Sequence, residues 1–320
     1  MYQKRTDLAL ETRELHAKPG KPDGIESEER EENGIRITTM RVSPDGAANG
    51  KAAGKPAGTY VTLDIGPVWD PGAQRGSMDA AASVLAEELR KLLPKEISPG
   101  GRGCVLVAGL GNDRITPDSI GPRVVSGVLV TRHIRVLDQS LFESAGFGEL
   151  AAIAPGVLGQ TGVESAEIIR SVAERIRPSC VIAIDALASR RLSRLASTVQ
   201  LSDTGICPGS GVSNTRTALS KETLGVPVIS IGIPTVVDAG TLAYDLLEEL
   251  AEKEGYPADL PVFDKVVEKL LDGAGKDFFI TPRDSDTIAS AAAGLIAAGI
   301  NLALHDRLTP EEIKEYLSST

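Results

Sequence analysis

Two stretches, "CVLVAGLGN" (104–112) and "CVIAIDALA" (180–188), most constrain what this 320-residue chain can become. Each is apolar almost without interruption. A strand with one face in water alternates, so these two require cover on both faces, as buried parallel strands do. Helical spacing links them: "SIGPRVVSGVLV" follows the first, and the amphipathic "ESAEIIRSVAERIRPS" runs straight into the second. "STVQLSD" and "VPVISIGIPTVVDAG" read as further strands and "TLAYDLLEELAEKEG" as a helix. The close, "FFITPRDSDTIASAAAGLIAAGINLALH", reads as a strand and then a long Ala-rich helix. The expected fold class is therefore α/β, a mainly parallel sheet flanked by helices on both faces.

The first hundred residues are less core-like. Residues 18–34 and 43–58 read as loops rich in Lys, Glu, Gly, Ala and Pro. "GIRITTMRV" and "TYVTLDIG" are β-rich and are expected to pair as an antiparallel edge, an N-terminal β-rich extension of the sheet. "SMDAAASVLAEELRKLLP" has helical spacing and ends at Pro94. No internal repeat is visible.

Charge and composition narrow the function. A net charge of −10 argues against nucleic-acid binding, which needs clustered Lys and Arg. Apolar runs fall short of the roughly 20 residues a spanning helix needs, and no signal peptide is recognisable. The 3 cysteines, Cys104, Cys180 and Cys207, show no C-x-x-C spacing and form no disulfide framework. A cytoplasmic location without membrane association is expected.

In doubly wound sheets, sites form beyond the carboxyl ends of the strands. Asp185 ends the apolar run "VIAID", and Asp118 lies in "GLGNDRITPDSIGP" after the first buried strand. With Thr116 as a cap and Pro117 in first position, Asp118 is expected in the first turn of a helix, where the dipole favours its ionised form. Desolvation tends to keep Asp185 protonated. Two carboxyls so separated can act on one water as general base and general acid. The plainer alternative makes Asp118 a first-turn acid and Asp185 a hydrogen-bonded strand residue. Arg190, Arg191 and Arg194 follow in "DALASRRLSR": either a solvated face, or guanidinium groups that clamp a substrate carboxylate, with Arg190 and Arg194 the candidates.

Other patterns are weaker. "GLGNDR" has Arg114 where a dinucleotide loop needs its third glycine. Ser210 in "PGSGVSN" lacks the spacing of a nucleophile elbow. Cys207 has no activating neighbour in sequence. His16 lies in the polar N-terminal region, His133 and His305 read as helix-terminal residues rather than ligands, and no H-E-x-x-H is present. No cofactor is expected.

Near the start stands "RTDLALET" (5–12), two acids around an apolar trio. Together with "GLGNDRITPDSIGP", "APGVLGQTGVE", "IAIDALASR", "LSDTGICPGSGVSNTR", "GIPTVVDA" and "FITPRD…AGINLALH", it resembles the spore germination protease family nearly end to end. The resemblance thins over about residues 20–100 and 252–277. It implies a fold like that of hydrogenase-maturation peptidases and, by fold analogy, phosphorylases. It implies a self-processing endopeptidase, made as a zymogen, that starts degradation of small acid-soluble spore proteins during germination. Sites cut by the family look like Thr-Glu-(apolar)-Ala-x-Glu, with cleavage after the acid. "TDLALET" would then imitate the substrate, with the bond to be cut between Asp7 and Leu8. Residues 1–7 would be a propeptide and 8–320 one catalytic domain, in which 8–100 holds the β-rich segment and loops. The family's aspartate pair matches Asp118 and Asp185. The resemblance further implies a homotetramer in the forespore or spore core. Two alternatives stay open: a metal-dependent maturation-type peptidase on the same fold, and a non-catalytic binding protein that keeps the scaffold.

Overall fold

The computed structural model describes residues 4–16, 24–48, 55–68, 77–97, 103–209, 216–256, 260–270, 278–305 and 307–318. Its strands are β1 (Ile25–Glu32), β2 (Ile35–Val42), β3 (Gly58–Asp64), β4 (Cys104–Gly109), β5 (Glu149–Ile153), β6 (Cys180–Ser189), β7 (Thr198–Ser202), β8 (Val228–Asp238) and β9 (Phe279–Ile280). They form a single sheet in the order β1-β2-β3-β7-β8-β6-β4-β5, with β9 added to β8.

The two apolar runs are neighbours at the centre. β4 lies parallel to β6, and β6 parallel to β8. Successive residues feed opposite faces, as the period of 2 requires. Val105, Val107, Ile182 and Ile184 pack with the helices Met78–Leu92, Ile120–Gly127 and Ser285–Leu304. Leu106, Ala108, Val181 and Ala183 pack on the other face with Ala166, Ile169 and Ala173 of the helix Ser165–Ile176. The α/β class with helices on both faces holds.

The sheet is nevertheless mixed. The parallel part is β5-β4-β6-β8; β7, β3, β2 and β1 continue it antiparallel. "GIRITTMRV" and "TYVTLDIG" pair antiparallel as expected, yet they do not form the edge, because β1 covers β2 and β7 pairs with β3. β1 falls in a stretch that reads as loop. Its sequence, IESEEREE, is too polar to show an apolar alternation, and its charges suit an exposed outer strand. The available signal was its turn. Asn33 (φ 53°) and Gly34 (φ 79°) both take the positive φ of a two-residue hairpin.

The helix Ser285–Leu304 corrects the estimate of apolar run length. It has 20 residues and a mean hydropathy of 1.8, long and apolar enough by composition to cross a membrane. Here it is a core helix: Ile288, Ala292, Ile296 and Ile300 are buried under the sheet, beside the helix Met78–Leu92.

Candidate active site

Site geometry starts from the unequal lengths of the central strands. β4 stops at Gly109, opposite Ile184, and Leu110 adds one last bond to the Ile184 carbonyl at 2.8 Å. β6 and β8 run on together to Ser189 and Val237. Asp185 is thus not the end of its strand, as the sequence suggests, but the first residue beyond the reach of β4. The crevice opens where β4 is missing.

The loop after β4 folds back over this opening. Gly111 has φ +109°, and a side chain there would collide with the Asp118 carbonyl, so the chain can bend back only with glycine. The Asn112 amide donates to Asp118 Oδ2 at 2.8 Å. Thr116–Asp118 forms a single 3₁₀ turn with no side-chain cap, and the α-helix starts only at Ile120. The expected helix-dipole stabilisation of Asp118 is accordingly replaced by one backbone amide.

Asp118 and Asp185 line a common cavity of about 400 Å³ with Asp7, Arg216, Thr235 and Thr281. Asp185 is 6% exposed. Burial first, then the charges of Asp118 and Asp7, push its pKa well above the ordinary carboxyl range; the Ala186 amide and Arg216 oppose this. Burial also raises Asp118, against the pull of the Asn112 amide and Arg216. Both carboxyls are shifted upward, Asp185 more strongly than Asp118. Opposite them β8 bulges: Leu187 pairs with Pro234 but Ala188 with Val236. The extra residue, Thr235, is 5% exposed, and its hydroxyl has no hydrogen-bond partner among the described residues. Bulges of this kind re-aim side chains beside sites.

The N-terminal segment lies across the opening. Arg5 donates its amide to Thr241 Oγ1 at 3.0 Å and pairs with Asp238 at 3.3 Å. The Asp7 amide donates to the Ala188 carbonyl at 2.9 Å, and the Ala188 amide returns a bond to Asp7 Oδ2 at 2.8 Å. Leu8 is fully buried, and a helix, Ala9–His16, begins directly after it. Asp7 also borders a second cavity of about 590 Å³ on its other side, lined by Asp185, Lys55 and Gln200 among others. There the Asp7 carbonyl accepts from Lys55 Nζ at 2.9 Å and Gln200 Nε2 at 3.4 Å.

Arg190 and Arg194 both meet an acid of this segment, in different ways. The Arg190 and Arg191 amides donate to the two carboxylate oxygens of Glu11 at 2.6 and 3.0 Å. Thr6 Oγ1 adds a bond at 2.5 Å, and the Arg194 guanidinium lies 3.5 Å away. The Arg190 guanidinium is committed elsewhere, to Asp245 at 2.7 Å and Glu248 at 3.1 Å. Glu11 is completely buried.

This chain matches the family model described as germination protease over residues 4–256. A germination protease of Clostridium perfringens is 41% identical over 99% of this chain and 100% of that protein. One of Caldanaerobacter subterraneus subsp. tengcongensis is 42% identical over 98% of both chains. The chain belongs to the germination protease family. It is therefore a peptidase, not a silent scaffold. A germination protease of Bacillus pumilus, 36% identical over 98% of this chain and 97% of that protein, extends the likeness to another genus. Among solved structures, the [NiFe] hydrogenase maturation protease HycI of Thermococcus kodakarensis KOD1 is 16% identical with a TM-score of 0.35. It covers 68% of this chain and 98% of its own.

The remaining sequence candidates have other surroundings than the cavity shared by the carboxyl pair. The Cys207 thiol borders the second cavity and is 3.5 Å from the Arg216 carbonyl. Burial pushes Cys180 up to about 12. His305 is buried, accepting from the Gly148 amide at Nδ1 and so donating from Nε2 to the Leu129 carbonyl. His133 is exposed. Ser210 lies outside the described residues. No three His, Cys, Asp or Glu side chains converge as a metal-holding group among the described residues, and carboxylates without imidazole or thiolate suit transition metals poorly. Sequence reasoning missed Arg216, Thr235, Lys55 and Gln200. They reach the site from separate elements: Arg216 and Thr235 stand inside the motifs "LSDTGICPGSGVSNTR" and "GIPTVVDA" without being singled out, and Lys55 and Gln200 stand in none.

Proposed function

We propose that this member of the germination protease family is a zymogen that cuts its own chain between Asp7 and Leu8, and that Asp118 and Asp185 perform the hydrolysis. Asp118, the more readily ionised, takes a proton from water while the water oxygen bonds to the Asp7 carbonyl carbon. The proton on Asp185 passes to the Leu8 nitrogen as the C–N bond breaks. Residues 1–7 leave as the propeptide, and 8–320 act as one catalytic domain without a cofactor. Small acid-soluble spore proteins, degraded in the spore core at germination, are the substrates, cut after an acid. The active form is a homotetramer.

The observation that supports this reading is the position of Asp7. It lines the cavity of the carboxyl pair, its carboxylate is held by the Ala188 amide, and the bond after it lies one residue ahead of a helix. Extended backbone at the bond to be cut is what a protease cleft needs, and a disordered spore protein can adopt it at low cost. The pattern Thr6-Asp7-Leu8-Ala9-x-Glu11 is matched by specific contacts at Asp7 and Glu11, the two acids.

A peptide assay tests the substrate claim. Processed enzyme, exhaustively chelated, is given peptides containing Thr-Glu-Leu-Ala-Leu-Glu or the same sequence with Gln for the first Glu. Cleavage of the first, after its Glu, with little cleavage of the second is expected. Loss of activity on chelation would instead favour the metal-dependent reading.

A further inference from the structure

The Asp7 carbonyl oxygen carries two donors from outside its own segment. Lys55 Nζ, from the loop before β3, is at 2.9 Å; Gln200 Nε2, from β7, is at 3.4 Å. The Gln200 amide is oriented by its other end, since Oε1 accepts from the Ala9 amide at 2.6 Å. The two cavities divide these groups by side. Asp118 lines only the first, Lys55 and Gln200 only the second, and Asp7 and Asp185 border both. Asp7 thus borders the cavity of the carboxyl pair while its carbonyl oxygen meets the donors that line the other.

We propose that Lys55, with Gln200, stabilises the oxyanion formed at Asp7 during cleavage. This rests on Asp7–Leu8 being the bond that is cut. When the water oxygen adds to the carbonyl carbon, the π pair moves onto oxygen, and the new negative charge sits on the atom that the ammonium already touches. Collapse returns the pair and expels the Leu8 nitrogen with the proton from Asp185. An ammonium gains little from a neutral carbonyl and much from an oxyanion, so its effect falls on the rate of the chemical step. The Asp7 carboxylate accepts from the Ala188 amide, while the hydrogen bond of Lys55 Nζ goes to the Asp7 carbonyl. Burial lowers the Lys55 pKa, and the carboxylates of Asp7 and Glu11 counteract this in favour of the ammonium.

The test is single-turnover processing of full-length chains followed by intact mass, in wild type, Lys55→Arg, Lys55→Gln and Lys55→Met. Docking of segment 4–16 is monitored by hydrogen exchange. Cleavage after Asp7 in all variants is expected, with rates falling in that order and Lys55→Met slower by about 10²–10³, the cost of one oxyanion donor. Gln200→Leu is also slowed. Equal rates in wild type and Lys55→Met, or rates that follow docking rather than the charge of the donor, would overturn the assignment. Wild-type cleavage at another bond would instead overturn the reading beneath it.

Discussion

Asp185 owes its high pKa to a one-residue detail, the ending of β4 opposite Ile184, which leaves the next side chain buried beside Asp118 but outside the sheet's apolar layers. Asp118→Asn and Asp185→Asn should each slow processing by about 10²–10⁴, the usual contribution of a positioned acid or base; normal maturation of either would end the dyad assignment. Arg216 lowers both carboxyls, so Arg216→Gln should move both limbs of the pH–rate profile of processing upward, and an unmoved profile would contradict this. That Asp118 and Asp185 would lie near each other was legible from the apolar runs that precede them, although β6 continues past Asp185 to Ser189. Lys55 was not, because it stands in a Gly/Ala/Lys stretch whose place beside Asp7 depends on tertiary packing. The Arg190 and Arg191 amides were hidden for another reason: the side chains draw attention, while the backbone holds Glu11.

At the scale of elements, the proposal makes segment 4–16 both substrate and plug. Leu8 is fully buried, which contributes about 1.5–3 kcal/mol to docking. Glu11 satisfies the Arg190 and Arg191 amides, and Glu11→Ala leaves both unpaired at a cost of about 1–3 kcal/mol. The variant should show faster hydrogen exchange over 8–16 with little change in β4 and β6; unaltered protection there would mean that Glu11 does not hold the segment. If residues 8–16 stay docked after the proposed cut, weakening their hold should speed turnover of added peptide. The same scale shows what the sequence concealed. Apolar β4 and β6 read plainly as buried, whereas β1, with its run of Glu, lacks the periodicity that marks a strand and is betrayed only by Asn33-Gly34.

For the whole molecule, the raised Asp185 ties stability to pH. A carboxyl whose folded pKa exceeds its unfolded value, about 3.9, stabilises the fold fully below that value and loses the contribution as pH rises through the folded pKa. Asp185→Asn should therefore melt increasingly above wild type as pH rises from mildly acidic to alkaline, and a constant difference would mean that Asp185 is not strained by burial. The proposed tetramer is checked by sedimentation of the processed form. The central claim is that the two cavity carboxyls cut the chain they hold, and the intact mass of wild type and Asp185→Asn after incubation under mildly acidic, dehydrating conditions tests it most directly. The account predicts a wild-type chain lacking residues 1–7 and an Asp185→Asn chain left whole; a wild-type cut elsewhere, or an Asp185→Asn chain shortened at the same rate, would contradict it.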